Sequence, residues 1–96
     1  MKRSNQQSLK EALDSLVDSF GLRAKLDEQA IREAWEKLAG AMIARHTKDL
    51  KLRKDTLYVK VDSAPLRHEL GYMRGALVEL INRELGRDVV KEVHLD

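Results

Sequence analysis

The residues best suited to chemistry lie in an alternating stretch near the middle of the chain. Lys51 and Arg53 precede a short polar turn, and Tyr58 and Lys60 follow it. Because residues two apart in a strand project from the same face, these four side chains are predicted to share one face of a β-hairpin. Cations pair with phosphate groups, and an exposed aromatic ring can stack on an unpaired base. The pattern therefore indicates a nucleic-acid-binding surface.

Further positive residues flank this stretch. Between residues 45 and 62 there are six Lys or Arg residues against three Asp residues, which gives a local charge of +3. Exposed strand faces also carry lysine for solubility alone, so a solvated surface without a ligand is the alternative interpretation. The complete candidate nucleic-acid site consists of Arg45, Lys48, Lys51, Arg53, Lys54, Tyr58 and Lys60.

No pattern in the chain indicates catalysis or metal binding. The chain has no cysteine, which excludes a thiol nucleophile, a disulfide framework and a Cys-based zinc site. The histidines His46, His68 and His94 lack the spacing of helical metal ligands. Paired carboxylates and a Gly-rich phosphate loop are also missing. We therefore expect a protein that is not an enzyme, needs no cofactor or metal, takes no small-molecule substrate and acts by binding partners.

Length and hydropathy set the context for this surface. A chain of 96 residues suits one domain with one core. No apolar run approaches the roughly 20 residues that span a bilayer, so no membrane association is expected. A chain without cysteine fits the reducing cytoplasm. Residues 1–7 are predicted to form a mobile polar tail, and residues 8–96 a single domain.

Two amphipathic helices are predicted in the first half of the chain. Residues 8–20 place apolar side chains on one stripe, and Gly21 follows as the expected C-cap. A second helix is expected to begin at Asp27 as its N-cap. It would bury Trp35 in the core and carry Gly40 in its interior, where a close backbone approach would explain the glycine.

The second half predicts strands on both sides of a third helix. Alternating residues 50–62 form the hairpin, and residues 89–95 form a last strand. The helix between them is expected to begin after Ser63, with Pro65 in its first turn, and to end at Gly86. The element order predicts an α+β fold in which helices cover one face of a three-stranded sheet and leave the other face open.

The order of several short motifs is distinctive. Trp35–Gly40 is followed by Ile43–Thr47, and Thr56–Ser63 leads to Leu80–Gly86 and Val89–Val93. In this order, over roughly residues 8–95, the motifs resemble the DciA-like family of small bacterial proteins. The resemblance implies a KH-like fold with the order α-α-β-β-α-β. It also implies DNA binding and a role beside the replicative helicase, while some relatives are described as possible RNA-binding proteins.

The partners implied are single-stranded or forked DNA, RNA as a further possibility, and the replicative helicase. A KH nucleic-acid site uses a Gly-x-x-Gly loop, whereas Gly71 and Gly75 are spaced Gly-x-x-x-Gly on the predicted third helix. We therefore expect binding at the hairpin face. The alternative hypothesis is a protein-interaction module that docks through the acidic second helix or an exposed apolar patch, with little affinity for DNA.

Overall fold

The predicted α+β fold is confirmed in a computed structural model that describes the backbone of residues 4–96 and the side chains of residues 8–96. Residues 1–3 of the predicted tail lie outside these residues, the backbone of residues 4–7 is helical, and the mobility of the tail stays a prediction. Within the described part, helices and strands follow in the order α1 (Ser4–Ser19), α2 (Leu22–Ala39), α3 (Ala41–Arg45), β1 (Thr47–Arg53), β2 (Thr56–Val61), α4 (Ala64–Tyr72), α5 (Arg74–Leu85) and β3 (Glu92–Leu95).

The three strands form one mixed sheet in the order β1-β2-β3. Strands β1 and β2 are antiparallel and joined by the two-residue turn Lys54–Asp55, in which Lys54 has a positive φ of 56°. Strands β2 and β3 are parallel. A parallel pair needs a long crossover, and helices α4 and α5 supply it.

The core lies between one face of the sheet and the helices α2, α4 and α5. Alternate strand residues are buried, from Leu50 and Leu52 on β1 to Leu57, Val59 and Val61 on β2. This period of two leaves the residues between them on the opposite, open face. Trp35 is buried as predicted, and its Nε1 donates to Thr47 Oγ1 at 2.9 Å.

The prediction that all three amphipathic helices cover one face of the sheet is wrong for helix α1, which does not cover it. None of its described side chains belongs to the buried core, and its large apolar residues are exposed. An amphipathic pattern identifies an apolar face, but it does not determine whether that face is buried within the same chain.

The predicted start of the second helix is wrong. Helix α2 begins at Leu22, directly after Gly21, whose φ of 66° makes the left-handed turn between α1 and α2. Asp27 is therefore a residue within the helix and not an N-cap. It is nearly buried, and both of its carboxylate oxygens accept from Arg87 Nη2 at 2.6 Å. A distant cation thus accounts for this Asp, which local sequence could not reveal.

Gly40 ends helix α2 instead of lying inside a longer helix, so that prediction is also wrong. Its φ of 96° and ψ of 154° belong to a region that residues with a Cβ rarely adopt. A Cβ built at Gly40 would meet no atom within 4 Å, so the backbone angle and not a close approach explains the glycine.

The third predicted helix is divided into α4 and α5 at Met73. Its ends are as expected, since Ser63 Oγ accepts from Leu66 N at 3.4 Å and Gly86 is a left-handed C-cap with a φ of 78°. The break at Met73 has ordinary backbone angles of −103° and 8°. Because position 73 holds neither Gly nor Pro, residue 73 itself does not predict the break.

The last strand is shorter than predicted because the side chain of Asn82 forms the hydrogen bonds of the Val89 and Val90 backbone. Asn82 Oδ1 accepts from Val89 N and Val90 N, each at 2.8 Å, and Asn82 Nδ2 donates to Val90 O at 2.8 Å. This side chain on α5 therefore fixes the chain that leads into β3, and pairing with β2 starts only at Glu92.

Candidate nucleic-acid interface

The open face of the sheet carries the four residues that the alternation placed together. Lys51 and Arg53 on β1 and Tyr58 and Lys60 on β2 are all exposed. Lys51 pairs with Tyr58 across the antiparallel ladder, and Tyr58 pairs with His94 across the parallel one. Lys51, Tyr58 and His94 therefore form a row across all three strands, which we call the central row.

His94 completes the central row, although the sequence analysis did not select it. Its imidazole lies against Tyr58 with ring centroids 5.2 Å apart and an interplanar angle of 54°. This tilted contact is one of the arrangements that aromatic pairs favour, and it restrains the Tyr58 ring on the sheet surface. The relevant signal was the alternation of His94 with Val93 and Leu95, but its neighbour depends on the β2–β3 register, which local sequence does not specify.

Acidic residues on the same face narrow the positive surface. Asp49 lies opposite Lys60, and Glu92 lies opposite Thr56, which in turn pairs with Arg53. The two carboxylates thus lie on opposite sides of the central row. A nucleic-acid backbone that follows the central row meets a lysine and an aromatic pair, and beside them a third carboxylate, because Asp96 Oδ1 lies 3.7 Å from His94 Nε2. Phosphate is therefore best placed at the Lys51 end of the row, which is the end away from this carboxylate.

The remaining predicted residues lie at the two ends of the hairpin. Lys54 is exposed in the turn next to Arg53. Arg45 is the last residue of α3 and is exposed near the other end. Lys48 lies where the β1–β2 register shifts, and its Nζ is 3.3 Å from Asp62 Oδ2, so its charge is partly balanced within the chain. Lys48 is therefore the least suited of the seven residues to bind phosphate.

Asp62 joins this end of the hairpin to the end of α3. Its Oδ1 lies 2.8 Å from His46 Nδ1, and its Oδ2 is the partner of Lys48. The hydrogen bond from His46 has the largest effect and lowers the pKa of Asp62 below its ordinary value, and Lys48 acts in the same direction. The ionised carboxylate is thus the form that the folded chain prefers.

This contact predicts a specific dependence of stability on pH. A carboxyl whose pKa is lowered by folding stabilises the fold above its unfolded pKa of about 4, and this stabilisation is lost as the pH falls through the lower, folded pKa. We expect Asp62→Asn to lose less stability than the natural chain between neutral pH and pH about 3. Thermal unfolding followed by circular dichroism over this range measures the difference. Parallel pH profiles for the two chains would contradict the prediction.

A second surface, which the sequence analysis missed, is a groove of about 550 Å³ beside the α4–α5 junction. Tyr72 is 81% exposed there, and its hydroxyl lies 3.1 Å from His68 Nε2. Arg67 Nη2 donates to Val61 O at 3.4 Å, while its buried Nε has no hydrogen-bond partner among the described residues. The groove is lined by Ala64, Arg67, His68, Gly71, Tyr72, Arg74 and Leu95.

The groove adjoins the open face along strand β3. Leu95 lines the groove, and the preceding residue, His94, belongs to the central row on the open face. Gly71 and Gly75 lie on either side of the helix break that forms the groove, and an added Cβ on Gly71 would lie 3.7 Å from Leu95 Cδ1. Two arginines and an exposed tyrosine thus lie around the edge of the sheet from the open face.

The described part of the chain offers neither a metal-ion cluster nor a membrane-spanning helix. Among residues 4–96, no cluster of three or more His, Asp or Glu side chains is placed to hold a metal ion. No helix within the same residues is long and apolar enough to cross a membrane.

The fold and this surface define a small α+β domain whose mixed sheet leaves a face with exposed basic and aromatic residues open. The chain belongs to the DciA family, since the family model described as "Dna[CI] antecedent, DciA" matches residues 8–95. The resemblance drawn from the motifs is therefore confirmed.

A curated relative supports the same assignment. The chain is 24% identical over 89 residues to a UPF0232 protein of Corynebacterium glutamicum (strain R), and the match covers 93% of this chain and 50% of that protein. The chain thus spans about half the length of this relative. No solved structure matches the chain, so the KH-like description stays a prediction.

Proposed function

We propose that this domain is a non-enzymatic nucleic-acid-binding accessory protein of bacterial DNA replication. It would bind single-stranded or forked DNA in the cytoplasm, next to the replicative helicase. The observation that carries the proposal is the central row of Lys51, Tyr58 and His94, with Arg53 and Lys60 beside it on the open face. Membership of the DciA family supports the link to replication and to the helicase.

The chemistry of the open face suits binding without sequence preference. Each phosphate that a Lys or Arg neutralises releases counterions, and this makes binding to single strands fall with salt by a slope of about −0.7 per contact. Stacking of a base on a ring such as Tyr58 contributes about 1–3 kcal/mol and does not depend on which base it is. The open face thus combines electrostatic attraction of phosphates with stacking of bases.

Fluorescence anisotropy with labelled single-stranded DNA, duplex DNA and single-stranded RNA, each at two salt concentrations, tests the proposal. We expect single-stranded DNA to bind best and its affinity to fall steeply with salt. Stronger binding of RNA would point to an RNA-binding relative instead. Absence of binding to all three probes at low salt would overturn the nucleic-acid proposal.

The groove predicts a separate effect on binding. Because Tyr72 is largely exposed, Tyr72→Ala should leave the fold intact and weaken binding of single-stranded DNA about 5- to 100-fold if a base stacks there. Tyr72→Phe, which keeps the ring and loses only the contact of the hydroxyl with His68 Nε2, should bind nearly as well as the natural chain. Unchanged affinity of Tyr72→Ala would confine the nucleic acid to the open face.

The acidic residues of the second helix support the protein-interaction alternative less in the folded chain than their sequence alone suggests. Glu28 lies 3.5 Å from Arg32, and Asp27 is held by Arg87. Two of the four acidic residues of α2 are therefore paired with a cation within the chain. Retention of purified replicative helicase on the immobilised domain, with and without DNA, separates the two hypotheses, since retention without DNA would favour a protein-interaction module.

A further inference from the structure

Helix α1 exposes an apolar stripe that the proposed function does not use. Leu9, Leu13, Leu16 and Phe20, the last just beyond the helix end, are each between 51% and 68% exposed. Four large, half-exposed side chains present on the order of 400 Å² of apolar surface, which is the size of the largest apolar patch on a typical monomer, and such a patch is often functional. Such a stripe on a projecting helix is costly to leave in water.

The area of the stripe matches one side of a dimer interface. A standard interface buries about 800 Å² on each partner, and somewhat more than half of this area is apolar. The stripe alone approaches that apolar share. Leu22 and Leu26, also exposed at the start of α2, add to the apolar surface near the end of α1.

The spacing of the stripe makes it complementary to itself. Its intervals of 4, 3 and 4 residues are those of a heptad seam, in which knobs of one helix enter holes of another. The same intervals result when the stripe is read backwards about a point between Asp14 and Ser15. A two-fold axis at this point would set Leu13 against the partner's Leu16, and Leu9 against the partner's Phe20, as a closed, isologous contact requires.

The charges around the stripe permit two copies to meet. Arg23 on α2 reaches back to α1, where its Nη2 lies 3.4 Å from Asp14 Oδ1 and its Nε lies 3.3 Å from Asp18 Oδ1. Lys10 lies 3.9 Å from Asp14. Because these opposite charges are paired within one chain, a second copy meets little like-charge repulsion, and the surface selects no strongly charged partner.

We propose that the α1 stripe is a self-association surface, through which two copies of the chain pair their α1 helices antiparallel about a two-fold axis near Asp14 and Ser15. The proposal does not depend on nucleic-acid binding, because none of the residues of the stripe belongs to the open face or to the groove. The partner that covers the stripe is thus a second copy of the same chain.

Sedimentation over a range of protein concentrations tests self-association. The natural chain should dimerise as its concentration rises, whereas Leu13→Asp should remain a monomer at the same concentrations. Ser15→Asp, which introduces the same charge away from the stripe, is the matched control and should still dimerise. Circular dichroism of each variant confirms that the fold is kept, since Leu13 lies outside the core.

Introduced cysteines test the antiparallel arrangement, and the natural chain has no cysteine to confuse the result. In the antiparallel pair, position 9 faces the partner's position 20. Equal positions are then separated by about 16 Å along the helix, which exceeds the roughly 7 Å limit of a disulfide. A mixture of Leu9→Cys and Phe20→Cys chains should therefore form mixed dimers on oxidation. A chain that stays monomeric at every concentration, or crosslinks mainly between equal positions, would overturn the proposal.

Discussion

Replacing Lys51 and Lys60 together by Glu should weaken binding of single-stranded DNA about 100-fold at moderate salt, or about 1.4 kcal/mol for each reversed charge. Both lysines are exposed on the open face, Lys51 in the central row and Lys60 two pairs further along the hairpin. Each reversal removes a phosphate contact and adds a repulsive carboxylate. The salt slope should also fall by about 1.4, since two contacts are lost. Anisotropy titrations at several salt concentrations measure both quantities.

Two comparisons separate a local effect from a general one. Lys25→Glu combined with Arg83→Glu changes the net charge equally, from +2 to −2, at exposed positions on α2 and α5. This control should keep most of the affinity. Because Lys60 faces Asp49 across the ladder, Lys60→Gln is a second variant that avoids setting two carboxylates opposite each other. Equal losses in the open-face variant and in the control would sink the assignment of the open face.

Removing the amide of Asn82 should cause the largest loss of stability from a single polar side chain. Asn82→Ala leaves the N–H groups of Val89 and Val90 and the carbonyl of Val90 without their partner, and Val90 is 1% exposed. An unsatisfied buried backbone group costs about 1–3 kcal/mol, so a total of about 3–5 kcal/mol is expected even if water reaches one group. A domain of this kind has only about 5–15 kcal/mol of stability in all.

Urea unfolding followed by circular dichroism gives the free energy of unfolding for this comparison. Arg83→Ala, the exposed next residue on α5, is the matched control and should change stability by less than about 0.5 kcal/mol. A loss below about 1 kcal/mol in Asn82→Ala would show that solvent replaces the amide, and that the entry to β3 is held by other contacts.

The open face could be predicted because alternate residues of a strand must project from opposite faces of the sheet. Once Leu57 and Val59 are assigned to the core, Tyr58 and Lys60 must project to the other side. The helix ends at Ser63 and Gly86 could be predicted equally well. Ser63 caps its helix through its own side chain, and Gly86 through its backbone freedom. Local chemistry was enough in these places.

The misses share a different cause, which is dependence on residues far away in sequence. The prediction of Asp27 as a cap is wrong because its partner, Arg87, is 60 residues away. His94 joins Tyr58 only through the parallel β2–β3 register, and the groove depends on Gly71 of α4 lying close to Leu95 of β3. The exposed stripe of α1 is the clearest case, since its pattern is the same whether or not a partner covers it.

The position of Trp35 has a practical consequence for measuring these effects. It is the single tryptophan of the chain, it is nearly buried, and its indole N–H links α2 to the hydroxyl of Thr47 at the start of β1. Its fluorescence emission therefore reports on the contact between α2 and β1, and the residue lies on neither the open face nor the α1 stripe. Unfolding can thus be followed optically while DNA is present, and the rise in the unfolding midpoint then measures affinity through linkage, without any label on the nucleic acid.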